Sequence, residues 1–165
     1  MSRPLQHSPF NSALETGVRT LTVLVASYPT AHDLSRLVQY DYLVVHSADA
    51  SGPPSLHPPL PLRTSELLVR RKLIEAGLRL LISRSLASRI LCEDGVLYRA
   101  KEAAGAFLDN LAAPYTVSLR ARAEWVTRTF DPLGQPELNQ VIDSLFSAWT
   151  TEFQPVEIAK QEELF

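Results

Sequence analysis

Five of the chain's twelve prolines fall between Pro53 and Pro61, directly after Gly52. Proline fixes its own φ, has no N–H to donate and restricts the residue before it, so neither a helix nor a central strand can pass through this stretch. The chain must therefore fold as two runs of regular structure joined by an irregular one. Residues 47–62 are too short for a free linker and too apolar at Leu56, Leu60 and Leu62, and are expected to form an ordered loop pinned by those leucines. A chain of 165 residues, 45% of them hydrophobic, can bury roughly two-thirds of its unfolded surface in one core. That composition excludes a disordered, collagen-like or disulfide-dense protein.

Ahead of the prolines, Ser12-Ala13-Leu14-Glu15 fits a capping box and predicts a helix start. Leu14, Val18, Leu21, Val25 and Tyr28 recur at helical spacing as one apolar stripe, which Pro29 ends. Asp33 is placed to cap a second helix reaching about His46, with Leu34, Leu37, Val38, Tyr42 and Val45 as core candidates; its apolar density suggests a central position. Beyond the prolines, Thr64 is expected to cap a third helix, Ser65 to Arg84. Leu67, Ile74, Leu78 and Leu81 share one face, and Arg71, Lys72, Glu75 and Arg79 the other, the glutamate within reach of Arg71 and Arg79.

The clearest β signal is Ile90 to Arg99, two apolar runs separated by Asp94-Gly95, a dipeptide favoured in type I′ hairpins. A turn centred there sets Leu91 opposite Tyr98, Glu93 opposite Val96 and Cys92 opposite Leu97, with Cys92 among apolar residues as a small hydrophobe. A short helix, Glu102 to Leu111, should bury Ala104, Phe107, Leu108 and Leu111. Pro114 suits the first turn of the next helix, which runs to about Phe130 through Tyr115, Leu119, Ala123 and Val126. Asp131 to Gly134 reads as a turn. A last helix, about Glu137 to Phe153, carries Leu138, Val141, Ile142, Leu145 and Trp149 on one stripe, ahead of an acidic tail. The predicted class is mainly α with a small β-hairpin, and the order of elements is that of a winged helix-turn-helix-like domain plus C-terminal helices. An irregular helical bundle with one hairpin is the competing layout. Three regions are expected: a leader over 1–11, the domain over 12–130, and the C-terminal helix and acidic tail over 131–165.

The net charge of −2 conceals an asymmetry: residues 1–62 sum to −1, residues 63–101 to +5 and residues 102–165 to −6. The basic centre supplies a candidate partner or nucleic-acid surface from Arg70, Arg71, Lys72, Arg79, Arg84, Arg89, Arg99 and Lys101. Glu93-Asp94 at the hairpin tip opposes a DNA backbone there. His46, Asp49 and His57 have the residue types of a two-His, one-carboxylate metal site, but loop histidines more often bond backbone carbonyls, and no metal or cofactor is expected. Asp33 after His32 reads as a helix cap. With one cysteine, six glycines, no G-x-S-x-G elbow and no phosphate loop, no catalytic set is predicted. A single cysteine cannot form an intrachain disulfide. Met1 to Phe10 holds no signal-peptide core, no apolar run approaches the length of a membrane span, and a cytoplasmic setting is expected.

Several segments in order resemble a known family: Phe10-Asn11-Ser12-Ala13-Leu14-Glu15-Thr16-Gly17-Val18-Arg19, Asp41-Tyr42-Leu43-Val44-Val45-His46, Gly52-Pro53-Pro54-Ser55-Leu56-His57-Pro58, Arg63 to Arg71 with Glu66-Leu67, and Gly95-Val96-Leu97-Tyr98-Arg99-Ala100. Together they look like the middle component of prokaryotic ABC-three-component conflict systems, to which the Lamassu-type anti-phage systems belong. The resemblance spans roughly residues 10–127. It implies a non-enzymatic adaptor assembled with an SMC- or Rad50-like ABC ATPase and an effector, often a nuclease, with no catalytic residue to carry over and no small-molecule substrate. It also marks His46, Ser55, Leu56, His57 and Pro58 as a structural or partner loop. Trp149 and Phe153, beside the acidic tail, are candidates for a partner groove. The alternative reading is a winged-helix transcription regulator that binds DNA.

Overall fold

The computed structural model describes residues 12–59 and 64–147. Its elements are α1 (Ala13–Ser27), β1 (His32–Asp33), α2 (Leu34–Val45), a 3-10 turn (Ser47–Ala50), α3 (Thr64–Ser83), β2 (Ala87–Cys92), β3 (Gly95–Ala100), α4 (Ala103–Asp109) and α5 (Pro114–Phe130). A last helix, α6, covers residues 135–147. The protein is mainly helical, with one small antiparallel sheet of strand order β1-β3-β2.

Local chemistry sets the starts of three helices. The Ser12 side chain accepts from the Glu15 N–H at 3.1 Å, the Asp33 carboxylate accepts from the Arg36 N–H at 2.8 Å, and Pro114 occupies the first turn of α5, where its missing N–H has no partner to lose. The Thr64 side chain lies outside the described residues, as do Leu60 and Leu62.

Helices α1 and α2 form the centre. α1 packs against α2, α3, α4, α5 and β3. Leu21 and Leu24 from α1, Tyr40, Leu43 and Val44 from α2, Ile74 and Leu78 from α3, Leu119 and Val126 from α5 and Leu138 from α6 build one core. Fully burying one such aliphatic side chain contributes about 1.5–3 kcal/mol. The predicted stripe on α1 is only partly internal. Leu21 is buried, but Leu14 is 62% and Tyr28 54% exposed, and the helix buries Thr16, Thr20, Thr22 and Ser27 on its other sides. Threonine is tolerated there because its hydroxyl bonds back along the helix: Thr20 Oγ1 donates to Thr16 O at 2.9 Å and Thr22 Oγ1 to Val18 O at 2.7 Å. Phe107 also departs from expectation, being exposed on α4, whereas Ala104 and Leu108 are buried.

The hairpin tip is Glu93-Asp94, one residue earlier than Asp94-Gly95. Leu91 pairs with Val96, Cys92 with Gly95 and Ile90 with Leu97. Gly95 still supplies the special conformation, with φ +120, but as the first residue of β3. Both registers keep the same residues on each face, so burial alternation cannot distinguish them. The shift leaves Cys92 at the exposed end of β2, its Sγ 3.3 Å from Gly95 O, instead of inside an apolar surface.

Arg36 fastens the turn after α5 to α2. Its Nη2 donates to Phe130 O and to Leu133 O, each at 2.7 Å, and its Nε donates to Tyr40 Oη. Asp131 accepts from Tyr40 Oη at 2.6 Å and lies 3.2 Å from His32 Nε2. Burial by itself would raise the Asp131 carboxyl, but its bonds to His32 and Tyr40 outweigh that and hold it below the ordinary carboxylate range.

Candidate functional site

The proline-dense loop, Ser47 to Pro59, closes over the C-terminal end of α2 and lies along α5 from Tyr115 to Trp125. Ser47 Oγ donates to Pro53 O at 2.8 Å, the N–H groups of Leu56 and His57 both donate to Val45 O, and Arg122 Nε reaches Pro54 O at 2.9 Å. These bonds capture carbonyls that proline leaves without a regular ladder. Leu56 packs on the core, and the Trp125 ring lies so close to Gly52 that a Cβ there would overlap it.

Beneath this loop five segments converge on a buried polar cluster. Asp41, 2% exposed, receives Arg19 Nε at 2.9 Å from α1 and Arg70 Nη1 from α3. Burial alone would raise the Asp41 carboxyl. Arg19 and then Arg70 outweigh burial and hold it below the usual carboxylate range. Arg70 also lies over the Tyr42 ring, 5.7 Å from its centroid, and Tyr42 Oη donates to Asp49. The Tyr42 ring is 4.8 Å from His46, His46 is 6.2 Å from His57 edge to face, and His57 stacks on Tyr115 with a 2.7 Å hydrogen bond between them.

This environment disfavours charge on both histidines. Burial, followed by the Arg70 guanidinium, pushes His46 down to about 4. Burial, followed by Arg19, pushes His57 to about 4. His46 Nε2 is buried without a hydrogen-bond partner among the described residues. His46, Asp49 and His57 do not converge as a ligand set, and no group of three His, Cys, Asp or Glu side chains suited to a metal occurs among the described residues. Chemically, the cluster locks the loop to α1, α2, α3 and α5 and presents His57, Pro58 and Tyr115 at its outer edge. Arg19 and Asp41 were not singled out as site residues from the sequence, although both lie in the segments that carry the family resemblance. Two opposite charges 22 positions apart give no periodic signal.

The basic residues separate into different places. Arg70 is turned inward to Asp41, its side chain 17% exposed, and so leaves the predicted surface set. Arg71, Lys72 and Arg79 on α3 and Arg84 after it are exposed, with Arg71 Nε 3.7 Å from Glu75. In the sheet, Arg89 pairs with Tyr98, and Arg99 with Ser88, so the two arginines point from opposite faces; Lys101 follows β3 and is exposed. Trp149 and Phe153 lie outside the described residues.

An apolar groove of about 380 Å³ runs beside α1, lined by Leu14, Val18, Leu80, Leu81, Leu86 and Phe107 with Arg84 at its rim. Leu14 and Val18 also border a second groove toward Leu111, Tyr115 and Leu119. No helix of the described residues is long and apolar enough to cross a membrane.

The family described as ABC-three component (ABC-3C) system Middle Component 2 matches residues 9–152. That match extends beyond the short motifs, through α6, whose Leu138 and Ile142 join the common core. No curated protein and no solved structure matches the chain.

Proposed function

The chain belongs to the ABC-3C system Middle Component 2 family, and from that premise we propose that it is the non-enzymatic adaptor of its system, holding an SMC- or Rad50-like ABC ATPase and an effector together. Family membership carries this reading, since a component of a three-part system works through protein partners. The surface supports it in kind. A groove flanked by the exposed side chains of Leu14 and Phe107, and an α3 face carrying Arg71, Lys72 and Arg79, offer one apolar and one basic contact region. The element order α1, β1, α2, α3, β2, β3 suits a winged-helix scaffold. In this reading the loop from Ser55 to Pro58 is a rigid contact element, because the Ser55 hydroxyl, the Leu56 and His57 N–H groups and the His57 ring are already engaged from within.

The test is co-purification. Co-expressed with the ATPase and effector subunits of its own system, the tagged chain should retain both through gel filtration, and charge reversal at Arg71 and Lys72 or Phe107→Asp should release one of them. A chain that elutes alone beside folded partner subunits overturns the adaptor reading.

The second reading, a winged-helix DNA-binding regulator, is favoured by the exposed Arg71, Lys72 and Arg79 on α3 and opposed by Glu93-Asp94 at the hairpin tip. It requires that the isolated chain retard duplex DNA with a salt-dependent affinity that falls when Arg71 and Lys72 are reversed.

A further inference from the structure

The last turn of α6 lies beside the start of α3. Leu145 and Phe146 line one small apolar crevice with Leu67 of α3 and with Gln39 and Tyr42 of α2. At about 100° per residue, the α3 surface that continues round the helix from Leu67 carries Arg71, then Glu75 and Leu68, then Arg79 and Lys72, with Val69 beyond. Leu68 is 59% and Val69 56% exposed, and Arg71, Lys72 and Arg79 are exposed with them. Glu75 stands 3.7 Å from Arg71. Glu66, the other carboxylate of α3, lies well round the helix from this face. The face therefore sets two uncovered aliphatic side chains among three cations and a single carboxylate.

The chain that follows α6 has the complementary chemistry. Residues 148–165 hold Glu152, Glu157, Glu162 and Glu163 against one cation, Lys160, and interleave these charges with Trp149, Phe153, Val156 and Ile158. They start from Ser147, one residue after Phe146, on the α3 side of α6. Reach is sufficient: Leu67 to Arg79 is about 18 Å along the helix axis, and the chain from Ser147 to Glu157 can extend to about 33 Å.

We propose that this acidic segment folds back over the exposed face of α3, its glutamates against Arg71, Lys72 and Arg79 and its apolar side chains on Leu68 and Val69. The opposed charges of the chain's basic centre and acidic C-terminal third then meet within one molecule. Exposed ion pairs are individually weak and are screened by salt, so the cover is reversible. In the free chain the segment occupies the basic face that the adaptor reading gives to a partner, and a partner engaging that face displaces it. The contact itself is internal and stands or falls on the isolated chain, whatever becomes of the adaptor reading.

A carbodiimide joins a carboxylate to an amine only where the two touch. In the full chain it should link Lys72 to Glu152, Glu157, Glu162 or Glu163, and a mixture of heavy-isotope-labelled and unlabelled chains should give linked peptides that carry one label only. Acetylation is the second readout. The combined variant Glu152→Gln, Glu157→Gln, Glu162→Gln and Glu163→Gln should acetylate at Lys72 about threefold or more faster than the parent at low salt, with the rate at Lys101 unchanged and the difference lost at high salt. A Lys72 that links only to Glu75, or to no carboxylate, overturns the proposal. So do equal Lys72 acetylation rates in parent and variant, and linked peptides carrying both labels, which would put the segment on a second copy.

Discussion

Gly77 on α3 lies directly against Gly17 on α1: a Cβ added at Gly77 would stand 2.8 Å from Gly17 Cα and 2.9 Å from Gly17 N, so the two helices cross backbone to backbone. The relation is not symmetric, because a Cβ added at Gly17 would meet Gly77 no closer than 3.4 Å, an ordinary contact. Gly77→Ala should therefore force the helices apart and destabilise by about 1–3 kcal/mol, the range for overpacking. Gly17→Ala meets only an ordinary contact and gains helix propensity, and should stabilise by up to about 0.5–1 kcal/mol. Urea unfolding of the two variants tests this, and equal midpoints would refute the asymmetric crossing.

The second prediction concerns Asp41. It is the shared counter-ion of Arg19 and Arg70 in a site where all three are largely withdrawn from water. Asp41→Asn removes the negative charge shared by two guanidinium groups and should cost about 3–5 kcal/mol. The folded carboxyl titrates below its unfolded value, so its contribution is present above about pH 4 and disappears as the pH falls through the folded value. The variant should accordingly lose stability at pH 7 and less of it in acid. A variant as stable as the parent at pH 7 would show that the cluster carries no net charge coupling.

These two sites mark what the sequence could and could not reveal. Ser12, Asp33 and Pro114 were legible because capping is decided within four residues. The ordered proline loop was legible because its breakers and its leucine are adjacent in the chain. The hairpin was read in the right place but with its tip one residue late, because Asp-Gly is a strong turn signal and the two registers share their faces. Gly17 against Gly77 and Arg19 with Asp41 and Arg70 are tertiary coincidences. A glycine in a helix, or an arginine in a basic run, looks the same whether it meets solvent or a neighbouring backbone. Arg70 illustrates the point: Arg71 and Lys72 beside it are exposed, and one step of about 100° around the helix turns it inward.

Gly52 gives a third prediction. Its missing side chain is the space occupied by the Trp125 ring, which in turn packs edge to face on Phe130 at 5.6 Å. Gly52→Ala should lift the loop from α5 and leave the helical core in place. Limited proteolysis between Ser47 and Pro59 should accelerate severalfold, with a shift in tryptophan emission and only a small change in the global unfolding midpoint. Unchanged cleavage would mean that Ser47, Arg122 and His57 hold the loop without the tryptophan contact.

The last prediction is the pH dependence of the loop's anchor. Burial and the neighbouring Arg70 hold His46 at about 4, against 6.5 for the exposed side chain. Between those two values the unfolded chain takes up a proton that the folded chain refuses. Stability is therefore fully present above the unfolded value and declines as the pH falls toward the folded one, by at most about 3 kcal/mol across the window. His57 titrates in the same window for the same first cause, burial, so the two losses reinforce each other on acidification. Urea midpoints measured from neutral pH down to about pH 5 should fall in the parent. His46→Asn, which cannot take up the proton, should flatten that decline even if its stability at neutral pH is lower, because the packing cost is independent of pH and the slope reports only the titration. Parallel slopes in parent and variant would remove His46 from the account and leave the response in this window to His57.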